Sequence, residues 1–187
     1  MKIVLLASGT GSLARAICQA GISGVEVVAL ISDKKSPALD VAQEYGIPSE
    51  VIEMQSDRTA WDRAVLTAVQ SYSPDLVVSV GFMRILSADF LQHCQTINTH
   101  PALLPLFPGA HAVRDALAAH ASVTGTTVHW VDEGVDTGPV IAQKEVAILA
   151  SDDEATLHER IKIAERLLIV ETLSQFAAHG IPEITNG

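Results

Sequence analysis

Short runs rich in valine, isoleucine and leucine alternate with amphipathic segments along almost the whole chain, and this alternation sets the fold class. "KIVLLAS" (2–8) predicts a buried strand and "SLARAICQAG" (12–21) a helix closed by Gly21. "VEVVALIS" (25–32) predicts a second strand and "PALDVAQEYG" (37–46) a second helix. A weak strand "PSEVIE" (48–53), a helix "TAWDRAVLTAVQSY" (59–72) and a strong strand "DLVVSVG" (75–81) follow. "SADFLQHC" (87–94) reads as a short helix capped by Ser87, "TINTH" (96–100) as a strand and "AHAVRDALAAH" (110–120) as a helix. "GTTVHWV" and "GPVIAQKEVAI" read as two later strands. One long helix, Glu154 to His179, carries Leu157, Ile161, Ala164 and Leu168 on one stripe and stops at Gly180 and Pro182. Continuous apolar strands between helices mean an α/β fold: a doubly wound, mostly parallel sheet with helices on both faces and ligands at the strand C-termini. The 187 residues fit one domain, 1–187, with no repeat or linker.

Composition removes several functions. A net charge of -10 disfavours nucleic acid and anionic membrane as partners. No run approaches the ~18 apolar residues of a membrane span, and "MKIVLLASGTG" is too short for a signal-peptide core. Two cysteines, Cys18 and Cys94, give neither a disulfide framework nor metal spacing, and both read as buried free thiols. A cytoplasmic location fits.

"ASGTGSLARA" joins the first strand to the first helix, and Gly9, Gly11 and Ala14 match G-x-G-x-x-A. Such glycines allow a tight turn that turns a helix N-terminus toward an anion. Asp33 ends the second strand, where a dinucleotide-binding fold would hold a ribose, so NAD is one reading of this loop. Ser12 adds a hydroxyl that suits a phosphate monoester equally, and a bare strand-to-helix turn explains the same glycines.

"TINTHPALLPLFPGAH" (96–111) holds three of the eight prolines, Pro101, Pro105 and Pro108. On a strand, Asn98 and His100 point to one side. Pro101 holds His100 extended, the later prolines stiffen the loop beyond, and Leu104–Pro105 is the bond expected to be cis. His100 can donate a proton near neutral pH, and Asn98 can donate to a developing oxyanion, a role worth ~3 kcal/mol. Taken alone, the pair also fits a strand end and a satisfied core histidine. "VDEGVDTGPVI" (131–141) crowds Asp132, Glu133 and Asp136 into a glycine-rich loop; a carboxylate placed beside His100 would fix its tautomer and raise its pKa. A solvated acidic turn explains the same residues. His111, His120, His129 and His158 are scattered, no His/Cys cluster has metal spacing, and no G-x-S-x-G elbow occurs.

"SGTGS", "GFMRIL" (81–86), "NTHPALLPLFPG" (98–109), "TGTTVHWVDEGVDTGPVI" (124–141) and "LHERIKIAERLL" (157–168) occur in that order. Together they resemble the folate-dependent formyltransferases, and within them the phosphoribosylglycinamide formyltransferases of purine synthesis. The resemblance covers nearly the whole chain and implies a Rossmann-like formyltransferase fold. It implies 10-formyltetrahydrofolate as donor, the amine of 5'-phosphoribosylglycinamide as acceptor, and direct transfer through a tetrahedral intermediate without a metal. It makes Asn98, His100 and Asp136 catalytic, with Asp136 raising the His100 pKa and shuttling a proton. The ribonucleotide phosphate would sit on the backbone of Gly11, Ser12 and Leu13, with Lys162, Ile163, Ala164 and Glu165 beside the rest of that substrate. The folate would meet Arg58, Met83, Arg84, Ile85 and Leu86, Asn98, and the loop Asp132, Glu133, Gly134, Val135 and Asp136. Partners would be small molecules, with a homodimer admitted.

Two positions depart from the family. Leu13 stands where many members have Asn, and Leu106 where many have Lys, so phosphate binding leans on backbone dipole. Methionyl-tRNA formyltransferase shares the N-x-H…D core but carries a basic RNA-binding domain, while this chain stops seven residues beyond Gly180. A formyltetrahydrofolate hydrolase would carry an N-terminal regulatory domain, and this chain begins at its first strand. An NAD(P)-binding module explains G-x-G-x-x-A and Asp33 but leaves Asn98, His100 and the prolines unexplained.

Overall fold

The computed structural model describes residues 1–184; the last three residues of the expected 1–187 unit lie outside the described residues. Seven strands form one sheet: β1 (Lys2–Ala7), β2 (Glu26–Ser32), β3 (Ser49–Val51), β4 (Leu76–Ser79), β5 (Thr96–His100), β6 (Val123–Trp130) and β7 (Val140–Ala147). Their order is β3-β2-β1-β4-β5-β6-β7. The chain winds outward from β1 through β2 to β3, then crosses to β4, which leaves a switch point between β1 and β4. Strands β1 to β5 pair in parallel, while β6 is antiparallel to β5 and β7 to β6. The sheet is therefore mostly parallel, and its last two strands form a hairpin.

The continuous apolar strands are buried on both faces. In β1, Ile3 and Leu5 meet α1 (Ser12–Ala20), α2 (Ala38–Glu44) and α6 (Glu154–His179) through Ile17, Val41, Leu168 and Ile169. Val4 and Leu6 point the other way, against Trp61, Val65 and Val69 of α3 (Arg58–Ser71) and Phe90 of α4 (Ala88–His93). The stripe expected on α6 is the buried one: Leu157, Ile161, Ala164 and Leu168 all lie in the interior. Asp153 and Thr156 start this helix with reciprocal backbone-to-side-chain bonds of 2.8 and 3.0 Å, and the Gly180 N–H closes it on the Phe176 carbonyl. A smaller cluster seats α5 (Ala112–Ala118) on α6 through Val113, Leu157 and Ile161.

Several elements are shorter than their sequence patterns. Helix 37–46 is reduced to Ala38–Glu44 and helix 110–120 to Ala112–Ala118. "PSEVIE" contributes only the three residues of β3, a short strand at the sheet edge. β4 ends at Ser79 because Gly81 turns the chain at φ 82°. Ser87 does cap α4, accepting from the Phe90 N–H at 3.2 Å. Cys94 is buried and Cys18 only half-buried; both thiols are free.

Gly11 is the N-cap of α1 at φ 74°, in the left-handed region, and a Cβ there would lie 2.7 Å from the Ala38 Cα at the start of α2. Gly11→Ala is therefore expected to destabilise the fold by about 1–3 kcal/mol. A lowered urea midpoint with an unchanged m-value is the expected readout.

Candidate active site

Ile97 enters the core on one face of β5, so Asn98 and His100 share the other. The antiparallel register puts His129 opposite Asn98 and Thr127 opposite His100. Directly opposed residues point to the same side, and four polar side chains converge there. Thr127 Oγ1 staples the proline segment to the hairpin. It donates to the Ala102 carbonyl at 2.6 Å and accepts from the Leu104 N–H at 3.0 Å. Gln143 Nε2 donates to Thr127 Oγ1 and to the Leu104 carbonyl. The Leu104–Pro105 bond is cis, and Phe107 takes a left-handed φ of 53°. Its carbonyl accepts from His100 Nε2 at 2.8 Å, and two residues later the Gly109 N–H donates to Asp136 Oδ2 at 2.8 Å.

Asp136 completes the site from the loop between β6 and β7. Its Oδ2 lies 3.2 Å from His100 Nδ1 and its Oδ1 3.6 Å from His129 Nε2. Burial works to raise this carboxyl. The His129 hydrogen bond, the Gly109 N–H and the charges of both histidines outweigh burial and hold it below the ordinary carboxylate value. Both nitrogens of the buried His100 ring thus face oxygen acceptors. The Phe107 carbonyl can only accept, so Nε2 carries a hydrogen, and Nδ1 is the nitrogen that faces Asp136. Asp132 does not reach this group. It caps its own loop, accepting from the Gly134 N–H and the Thr137 hydroxyl, while Glu133 and Val135 point outward. Gly138 is required at the loop exit, since a Cβ there would lie 1.9 Å from the Trp130 carbonyl oxygen.

The reading of His129 as one of several scattered histidines is corrected here. Its Nδ1 donates to the Trp130 carbonyl at 2.8 Å, and its Nε2 faces Asn98 Nδ2 at 3.3 Å. Its Nε2 is shared between Asn98 Nδ2 and Asp136 Oδ1: the neutral ring accepts there from Asn98, the protonated ring donates there to Asp136, and either way an Asn98 amide hydrogen is left for a ligand. Nothing local in "TVHWV" marks this; only the β5–β6 register does.

The remaining predicted residues fall into two groups. Gly11, Ser12 and Leu13 form the first turn of α1, which has no side-chain cap, so its leading N–H groups are open to an anion. Leu13 is buried in the core, so only its backbone can serve a ligand. On α6 in the same layer, Ala164 and Glu165 are buried, Ile163 is exposed, and Lys162 pairs with Glu159 at 2.8 Å. Burial pushes the Glu165 carboxyl up to about 7, against the pull of Lys162 and Arg166. In the second group, Met83 and Ile85 are exposed while Leu86 is buried. Arg58 donates to the Ile85 carbonyl, pairs with Asp62 at 2.7 Å and lies over the Trp61 ring. Arg84 Nε donates to Asp33 Oδ2 at 2.6 Å, and the Asp33 side chain is 1% exposed. Asp33 is thus closed off from any ribose, which removes the support it lent to an NAD reading. Among the described residues, no three His, Cys, Asp or Glu side chains form a metal-holding group.

Residues 1–173 match the family model described as formyl transferase. The chain belongs to the formyl transferase family. It is 49% identical over 186 residues to the phosphoribosylglycinamide formyltransferase of Mycobacterium tuberculosis (strain CDC 1551 / Oshkosh), covering 96% of this chain and 86% of that one. The Escherichia coli (strain K12) protein of the same name is 37% identical over 185 residues, covering 95% and 87%. The crystal structure of phosphoribosylglycinamide formyltransferase from Bacillus halodurans superposes with a TM-score of 0.91 at 34% identity, over 100% of both chains. This protein is accordingly an enzyme of formyl transfer, and its mostly parallel seven-stranded sheet is the fold of those neighbours.

Glu165 makes folding stability depend on pH. Its folded pKa of about 7 exceeds its ordinary value of 4.5, so the native state holds a proton the unfolded state has released. Stability should fall as pH rises from about 4.5 to about 7 and level off above, by up to about 3 kcal/mol. Glu165→Gln should flatten that slope, measured by urea unfolding between pH 5 and pH 8.

Proposed function

We propose that this enzyme transfers the formyl group of 10-formyltetrahydrofolate to the amine of 5'-phosphoribosylglycinamide, directly and without a covalent enzyme intermediate. The observation that carries the reading is the closed set Asn98, His100 and Asp136, framed by the Phe107 carbonyl and the Gly109 N–H. The names of its relatives supply the acceptor. The phosphate rests on the first turn of α1, and the exposed side chains of 83–85 with the 132–136 loop hold the folate. The partners are two small molecules in the cytoplasm.

The amine nitrogen attacks the formyl carbon, and the carbonyl electrons move onto oxygen. Asn98 donates its free amide hydrogen to that oxygen. His100 supplies a proton to it from Nδ1, the nitrogen facing Asp136, while Nε2 stays anchored on the Phe107 carbonyl. Asp136 holds the imidazolium before transfer and hands the proton lost by the amine onward through water. As the tetrahedral centre collapses, the bond from carbon to the folate N10 breaks and N10 takes up a proton. Tetrahydrofolate and the formylated amide leave, and His100 regains its proton.

Tetrahydrofolate release, followed spectrophotometrically with and without the ribonucleotide, tests the reading. Release that requires the ribonucleotide supports it; release without it identifies a hydrolase and overturns it. His100→Ala should lower kcat by about a hundred- to ten-thousand-fold with substrate binding largely kept. Asn98→Ala should lower it by about a hundred- to thousand-fold. Asp136→Asn removes the anion that favours the His100 cation. It should therefore lower kcat by about a hundred- to ten-thousand-fold with substrate binding largely kept, and an unchanged kcat would remove Asp136 from the mechanism.

A further inference from the structure

Asp33 lies at the end of β2, away from the Asn98–His100–Asp136 group, and the chemistry proposed above does not use it. Its carboxylate is buried, with Arg84 as its ion-pair partner and the Ser8 hydroxyl beside it. Oδ2 accepts from Arg84 Nε at 2.6 Å, and Oδ1 makes no hydrogen bond among the described residues. A buried carboxylate with an unpaired oxygen is costly unless its charge is used. The charge here is answered by Arg84, which stands in the middle of segment 82–86 and keeps its terminal nitrogens free of hydrogen bonds among the described residues. Segment 82–86 belongs to no helix or strand, so tertiary ties must fix its shape. Two further ties act on it and a third on Gly81, just before it. The Ser8 N–H donates to the Gly81 carbonyl at 3.1 Å, the Met83 N–H donates to Ser8 Oγ at 2.9 Å, and Arg58 holds the Ile85 carbonyl. The Ser8 hydroxyl also lies beside the Asp33 carboxylate. Ser8 is the first residue after β1 and leads into the Gly9–Gly11 loop.

We propose that Asp33 is a positioning residue for the folate site: through Arg84 it sets the wall 83–86, and Ser8 ties that wall to the phosphate loop. This rests on the formyl-transfer reading, which makes 83–86 a folate wall. Arg84 reaches its partner through Nε, which leaves its two terminal nitrogens without a hydrogen bond among the described residues on a side chain 37% exposed, between the exposed Met83 and Ile85. The ion pair thus fixes both the direction of those donors and the set of the 83–85 peptides. The residue that a dinucleotide-binding fold would turn toward a ribose is here turned inward to shape the site of a different cofactor.

The test is steady-state kinetics of Asp33→Asn, which keeps the shape and removes the charge, beside calorimetric binding of tetrahydrofolate. KM for 10-formyltetrahydrofolate should rise about ten-fold while kcat changes by less than about two-fold. The Kd of tetrahydrofolate should weaken in parallel. Arg84→Gln alters a partly exposed side chain and should weaken tetrahydrofolate binding at least as much, because it removes the terminal nitrogens as well. The double variant should be no worse than Arg84→Gln alone, because Asp33 acts through Arg84. Unchanged KM and Kd with only a lower Tm would overturn the proposal, as would additive losses in the double variant. Wild-type protein that binds no tetrahydrofolate would overturn the formyl-transfer reading itself. Wild-type binding matched by Asp33→Asn would overturn this inference alone.

Discussion

The contact between His100 Nδ1 and Asp136 Oδ2, at 3.2 Å, joins the two halves of the site, and much of the local structure exists to hold it. Neither partner is held by its own element alone. His100 ends β5 and Asp136 sits on a loop with a left-handed φ of 55°, a conformation that costs a non-glycine residue energy. The segment between Pro101 and Gly109 closes the gap from both sides, giving the histidine an acceptor at Phe107 and the aspartate a donor at Gly109. The density of prolines there has a physical reason. A flexible loop would lose conformational entropy each time it formed those two bonds, and a stiff one has little left to lose.

The change of strand direction at the β5–β6 boundary is what makes this assembly possible. Parallel pairing would have carried the chain to the far end of the sheet before the next strand began. Antiparallel pairing lays β6 against β5 in the reverse sense and sets His129 opposite Asn98. It also places the Asp132–Asp136 loop beside the Asn-His pair. The wholly parallel part of the sheet contributes differently, through its switch point. The glycine loop after β1 and the Gly81 turn after β4 meet there through the Ser8 N–H and the Gly81 carbonyl, so the two segments are neighbours by topology.

Most of the fold was legible because its signals are local. Apolar runs buried on both faces mark β1, β2 and β4, and the stripe from Leu157 to Leu168 marks α6. The short ends of α2 and α5 were not legible, because fraying there depends on which backbone groups find tertiary partners. In the site, Asn98, His100 and the proline frame stood out by spacing, and Asp136 was separated from Asp132 and Glu133 only by resemblance. The physical separation is a contact: Asp132 is spent on capping its own loop, which only the folded backbone reveals. His129 was hidden for a related reason, since its role depends on strand register across 31 residues of chain. Asp33 supports an NAD reading from sequence only because it ends β2, where a dinucleotide fold would hold a ribose. Its true partner, Arg84, lies 51 residues away in sequence.

His100 is anchored on the Phe107 carbonyl through Nε2 and gives up its proton from Nδ1, the nitrogen that faces Asp136. Nitrogen-15 NMR of the ring, titrated across neutral pH in the wild-type enzyme, measures this directly. The account predicts that Nε2 stays protonated throughout and that Nδ1 alone gains and loses its hydrogen. A ring that releases its proton from Nε2 and keeps Nδ1 protonated would contradict it.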